Sequence, residues 1–461
     1  MARHPEYDDR FWRYMEALQI DAPFKPASVT PLEQNLWQVS SPGGEVTLRY
    51  RIRLPAAGRS ARAAWRPFLT STGGLVGDLH TFLYMVEEPH APSHVRLRLP
   101  AGWDVATALA PTSDPNIFFA ASGDILAESP ILMGQLRDWR FVVNDTPYRV
   151  SYWPLPDAGA FDSSTFVAGI EKLVHEAVAL FGSAPWREYL FLLQDGALGA
   201  LEHPDSLTLG VPSATLAGNP YAFHEQIAHE FVHAWNLMRI HPEESHGMDY
   251  RAAKRSAGLW FSEGLSMFYA DLLLRRAGLP ESTPSRIAHL EELIARYLAE
   301  PGNARFSAEQ VSRAANDARP GALGDYSAST HLQGELLGAM LDLVIRDATA
   351  NRRSMDDVMR AMLDRFSGTH GFTGKDIENT VTGLCGCEVA SLFNAYVRGA
   401  AEFREALMRL RVGDRIAIEV KHSGVVRTAT VTITPLDRPK VRISELTHVT
   451  ERQRAVLDHW R

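Results

Sequence analysis

The amino-acid sequence predicts a multidomain α+β protein on three observations. A chain of 461 residues outgrows one ordinary hydrophobic core and calls for two or three. Its hydrophobic period changes along the chain, from two in the first third to near 3.6 after residue 160 and back to two beyond residue 415. Its composition, 45% hydrophobic and 22% charged, is that of a globular protein able to bury such cores.

The elements follow in order. Residues 45–54 and 94–99 alternate apolar with polar, the period of a half-buried strand, and further strands are expected at 37–39, 116–120 and 148–153. With Pro and Gly between them they read as an N-terminal β-sandwich domain over residues 1–158. Phe166, Ile170, Leu173, Val174, Ala177, Val178 and Phe181 then fall at helical spacing and open a second domain. A strand over 189–193, a Gly-rich turn and a strand over 207–211 precede a stretch of helices that includes 332–346, giving a mixed, mainly helical domain over 159–405. Two alternating runs, 415–421 and 425–433, flank a turn at His422-Ser423-Gly424 and predict a hairpin. The segment 406–461 is small for a core of its own.

Composition and charge exclude some partners. The formal net charge is −8, and Lys and Arg are scattered among acids without the basic stripe that nucleic acid requires. No run approaches the roughly 18 apolar residues of a membrane span, and residues 1–10 lack the apolar region of a signal peptide, so neither a nucleic-acid nor a membrane partner is expected and the cytoplasm is the expected location. The two cysteines, Cys385 and Cys387, stand too close in sequence for an easy disulfide and read as small loop residues. Composition leaves the oligomeric state open.

The chemistry concentrates in His229-Glu230-Phe231-Val232-His233 and in Leu259-Trp260-Phe261-Ser262-Glu263-Gly264. Residues four apart on a helix share a face, so His229 and His233 can aim two imidazoles at one metal ion. Catalytic zinc takes three protein ligands and leaves a fourth position to water, and a carboxylate one residue after the first His can take that water's proton. Glu230 is thereby expected to be a base rather than a ligand. Glu263 is expected to be the third ligand, since an acid at the head of an apolar helical run needs a reason to be there. Ile227, Ala228, Phe231, Val232 and Trp235 give the His229 helix an apolar inner face, which argues against a chance match of two histidines on a polar surface.

With those residues in place, the chain resembles the glycyl aminopeptidase family of gluzincin metallopeptidases. The resemblance rests on residues 229–236, Arg239-Ile240, residues 259–264, residues 341–346 and 354–360, and residues 393–399. It implies a thermolysin-like zinc metallopeptidase catalytic domain over 159–405, a Zn2+ cofactor, and a truncated PDZ-like segment over 406–461. It also implies an aminopeptidase acting on peptides or amides with a free amino end and a small first residue, Gly or Ala. Gly199-Ala200-Leu201-Glu202-His203 is similar to the family's substrate-binding edge strand, which makes Gly199 and Ala200 substrate-binding and Glu202 the acceptor of the α-amino group. Where the family has two tyrosines the chain has Thr330-His331, so that His331, with Tyr326 as the second candidate, is expected to serve the oxyanion. Met238 and His241 stand where the family pattern tends to be basic. These departures leave an alternative open, a specialised zinc hydrolase or tailoring enzyme of a biosynthetic pathway on the same scaffold.

Overall fold

The structure, a computed structural model, describes residues 11–22, 26–54, 62–77, 81–245, 255–280, 283–299, 302–303, 306–315, 329–368, 370–399, 413–422, 425–432, 440–444 and 449–460. The chain divides into two compact units. One comprises residues 1–240, 245–254 and 269–280, the other 241–244, 255–268 and 281–461.

The first unit begins as the strand-rich region that the alternating segments predict. Met15–Asp21 pairs antiparallel with Thr47–Ile52. Ser28–Pro31 pairs with Trp37–Ser40. A four-stranded sheet follows, in the order Phe68–Leu69, Gly73–Gly77, Pro130–Gly134 and Asp104–Ala106, and a three-stranded one of Ala110–Pro111, Ile117–Ala120 and Ser93–Arg96. Val95, Leu109, Ala120, Leu126 and Ile131 form one of its cores.

A five-stranded sheet completes this unit and positions the site. Its strands are β1 (Arg137–Val143), β2 (Thr146–Trp153), β3 (Tyr189–Gln194), β4 (Ala200–His203) and β5 (Ser206–Gly210). The order is β1-β2-β3-β5-β4, so β4 lies at an edge, and β2, β3 and β5 run parallel. β3 is buried along its whole length and apolar but for Gln194, as a parallel strand covered on both faces must be. One face meets the strand-rich region through Leu190 and Leu192, which pack with Phe68, Leu75, Leu132 and Trp153. The other face carries helix α1 (Ser163–Phe181) and helix α2 (His224–His233). There Phe231 of α2 packs edge-on to Tyr189 and against Phe191, with Trp186 and Trp235 closing the aromatic cluster.

Helix α2 is fixed to α1 at its first residue. His224 is fully buried and donates Nε2–H to the carbonyl of Phe166, and a Cβ at Gly169 of α1 would overlap its imidazole. Burial pushes the His224 pKa down to about 4. The neutral ring is therefore the folded form. Its contribution, about 3 kcal/mol by linkage, is complete above the unfolded pKa near 6.5 and is lost as pH falls from there toward 4. The metal-free protein is expected to lose thermal stability across that window, and His224→Gln to flatten the profile. Equal slopes in the two proteins would refute the assignment.

The second unit is mainly helical. Helix α3 (Leu259–Arg276) contributes its residues up to Phe268 to it. α4 (Arg286–Ala299), α5 (Thr330–Thr349), α6 (Met355–Phe366) and α7 (Gly374–Cys385) follow. Trp260, Phe261 and Leu265 of α3 are buried, with Phe261 edge-on to Phe372 and Trp260 edge-on to Phe393. α3 and α5 meet backbone to backbone: a Cβ at Gly264 would overlap the main chain of Gly334, and one at Gly334 would overlap the carbonyl of Trp260. Only glycine permits that approach.

The predicted hairpin is present as Arg415–His422 paired antiparallel with Val425–Thr432, while Ser423 and Gly424 of its turn lie outside the described residues. A terminal helix, α8 (Glu451–Trp460), was not anticipated from the strand pattern. Thr450 and Gln453 explain its start, each side chain bonded to the other's backbone N–H in a capping box. Its Trp460 packs under the guanidinium of Arg286 at 4.6 Å.

One expectation is corrected. Cys385 and Cys387 form a disulfide. Gly386 ends α7 in the left-handed conformation, at φ 61°, and turns the chain back so that the two Cα atoms stand 5.1 Å apart, inside the usual disulfide range. No helix among the described residues is long and apolar enough to cross a membrane.

Candidate metal centre and active site

Helix α2 presents the predicted pair. His229 and His233 face one another edge to face, with Nε2 atoms 3.0 Å apart. Two imidazole nitrogens on one tetrahedral ion at about 2.0–2.1 Å lie about 3.3 Å apart, so the pair is close to the bite of a metal. His233 donates Nδ1–H to the carbonyl of Asn236 at 2.9 Å, which fixes its tautomer and leaves the Nε2 lone pair outward. Sequence alone did not single out Asn236, whose signal was its place three residues after His233.

The third predicted ligand joins them. His229, His233 and Glu263 each offer a ligand atom, and these atoms all lie within 4.8 Å of one another. Two imidazoles and a carboxylate, nearly buried, form a known donor set for a catalytic ion. These residues can hold a metal. Glu230, also buried, follows the first histidine and is not in the donor group.

The sheet register places Glu202. Side chains alternate along a strand, and Tyr189 and Phe191 of β3 point to the α2 face. Phe191 pairs with Leu207, and Leu207 with Glu202, so Glu202 and Ala200 point to that same face. His203 turns to the opposite face, where its Nδ1 lies 3.3 Å from Glu128. Electrostatics agrees: burial first, then the charges of Glu230, Asp205 and Glu202, hold the Tyr189 phenol well above its ordinary pKa, with Arg239 opposing. Both carboxylates of interest therefore act on one buried hydroxyl.

Gly199 leads into β4 at φ +75°, and a Cβ there would press on the ring of Trp65. Arg239 ties the hairpin of β4 and β5 to the end of α2. Its guanidinium donates to the carbonyls of Pro204 and Ala234 and meets Asp205 at 2.9 Å. It was legible only as part of the resembling text, not as a brace.

His331, in the first turn of α5, lies with Nε2 3.1 Å from Glu263 Oε2. Its Nδ1 is 3.3 Å from the hydroxyl of Thr330. Tyr326 lies outside the described residues.

A mixed α+β fold, and a largely buried His-His-Glu group with a glutamate following its first histidine, are the features of a zinc metallopeptidase. The family description "M61 glycyl aminopeptidase" matches residues 222–337, and "Peptidase M61 N-terminal domain" matches residues 8–135. These two stretches span more than half of the 461 residues, and the chain belongs to the M61 glycyl aminopeptidase family. Among solved structures, the fold is similar to an aminopeptidase N family protein from Idiomarina loihiensis, with a TM-score of 0.77 and 20% identity over 91% of this chain and 73% of that one. It is also similar to an M1 zinc metallopeptidase variant from Deinococcus radiodurans bound to a Tyr-Ser-Ala substrate, with a TM-score of 0.53 and 16% identity over 83% of each chain. No curated protein matches the sequence.

Proposed function

We propose that this chain is a zinc-dependent aminopeptidase that removes small N-terminal residues, Gly or Ala, from peptides. The observation that carries the reading is the alternation that turns Glu202 to the sheet face bearing α2. An ammonium entering a closed cleft loses hydration and needs such a carboxylate. Zinc is the ion favoured by the His229, His233 and Glu263 donor set. In this reading residues 159–405 form a thermolysin-like catalytic domain, 1–158 an N-terminal β-sandwich and 406–461 a truncated PDZ-like segment.

When bound, zinc supplies Lewis acidity, polarising the scissile carbonyl and lowering the pKa of water toward about 7. Glu230 takes a proton from the water whose oxygen bonds to the carbonyl carbon, and passes it to the leaving nitrogen as the C–N bond breaks. Glu202 holds the substrate's α-ammonium, while Gly199 and Ala200 let the peptide approach the strand. Tyr326 and His331 are the chain's candidates for a hydrogen bond to the oxyanion, and the contact of His331 with Glu263 favours Tyr326.

Hydrolysis of Gly- and Ala-p-nitroanilide, with N-acetylated substrates as controls, tests this. Activity is expected only with zinc and a free amine. Glu202→Gln is expected to lower kcat/KM for free-amine substrates about 30-fold or more, as when one partner of a buried charge pair is removed. Equal losses on acetylated substrates would remove Glu202 from amine recognition. The second reading, a specialised zinc hydrolase, is favoured by Thr330-His331 at the tyrosine positions. Silence on all aminoacyl amides with stoichiometric zinc would select it.

A further inference from the structure

His331 occupies the place of a residue expected to face the substrate, yet its Nε2 meets the carboxylate of Glu263 at 3.1 Å. A carboxylate can only accept, so the contact is attractive when Nε2 carries a hydrogen. The neighbouring Thr330 hydroxyl, 3.3 Å from Nδ1, can donate to that nitrogen, an arrangement that fits the tautomer protonated at Nε2.

The placement is enforced by packed backbones. Gly334, one turn beyond His331, lies directly against Gly264, the residue after Glu263. That crossing fixes the first turn of α5 beside the head of α3. Ser329 caps α5 through its side chain and anchors the turn on which Thr330 and His331 stand.

We propose that His331 is a positioning residue for the metal centre, oriented by Thr330. It donates Nε2–H to Glu263, holds that carboxylate in place for the ion, and is thereby withdrawn from the oxyanion. The inference rests on the proposed zinc site at His229, His233 and Glu263. It assigns to Thr330 and His331, acting in series, the outer partner that orients a ligating carboxylate.

The test is zinc affinity, measured by competition with a chromophoric chelator for the full chain, His331→Phe, His331→Gln and Thr330→Val, beside kcat at saturating zinc. Loss of an outer-shell partner typically weakens metal binding about 10–100-fold. His331→Phe is expected to fall in that range. His331→Gln, whose amide keeps an N–H donor, is expected to stay within a few-fold of the parent, and Thr330→Val to fall between. Matching melting curves of the metal-free proteins separate this loss from unfolding. Unchanged zinc affinity in His331→Phe, with kcat down about 10²–10³-fold at saturating zinc, is the signature of an oxyanion donor and would overturn the proposal while leaving the zinc site standing. Failure of the parent chain to bind zinc would overturn both.

Discussion

Glu230→Gln is expected to abolish turnover while the protein keeps its fold and its capacity to bind zinc. The substitution preserves shape and removes only the ability to take a proton. Glu230 is buried in α2, so a larger change there would disturb packing as well as chemistry. General acid–base groups contribute about 10²–10⁴ in rate, and one that serves both halves of the reaction belongs at the upper end. A loss of about 10⁴-fold in kcat, with zinc stoichiometry by elemental analysis and melting temperature unchanged, is the expected outcome. A variant that loses its zinc would recast Glu230 as a ligand; one that keeps its activity would move the base elsewhere.

Gly264→Ala and Gly334→Ala are expected to be the most destabilising single-methyl additions in the second unit. At either position the added Cβ meets main chain, not a side chain that can swing aside. Overpacking usually costs about 1–3 kcal/mol, and backbone against backbone belongs at or above that limit. The melting temperature should fall on the order of 10 °C. The loss should extend to metal binding, because the same crossing holds the Glu263 head of α3 to the first turn of α5. Gly383→Ala in α7 is the control: open space surrounds its Cβ position, and removing a helical glycine is expected to stabilise by about 0.5–1 kcal/mol. Similar melting temperatures for Gly264→Ala and Gly383→Ala would show that the α3–α5 contact is looser than described.

What the sequence made legible follows from how local each signal is. The helical period around Phe166 and the alternation of residues 148–153 are local, and both elements stand where predicted. The spacing of His229 and His233 is a property of one helix turn, so their pairing was readable without any fold. Glu263 could be named from its awkward place in an apolar run, but its meeting with the histidines needed tertiary structure. Glu202 was readable as a residue and not as a direction, since its face is set by pairing with Leu207 and, through it, Phe191. The reading of His331 failed to foresee its partner for a similar reason: position in a motif gives no orientation. The disulfide was missed because sequence separation was taken for distance, whereas one left-handed residue, Gly386, reverses the chain between the two sulfurs. Terminal helix α8 was missed although Thr450 and Gln453 spelled its capping box.

That disulfide reaches into how the metal centre must be studied. With Cys385 and Cys387 joined, no free thiol is present among the described residues, and nitrogen and oxygen donors are what an added ion finds. A reducing agent in the buffer would release two soft sulfur ligands on one short loop, able to draw zinc or cadmium to themselves. Titrations run with and without reductant would then count different numbers of sites. The second equivalent seen under reduction would report the loop at the end of α7, not the enzyme's working ion.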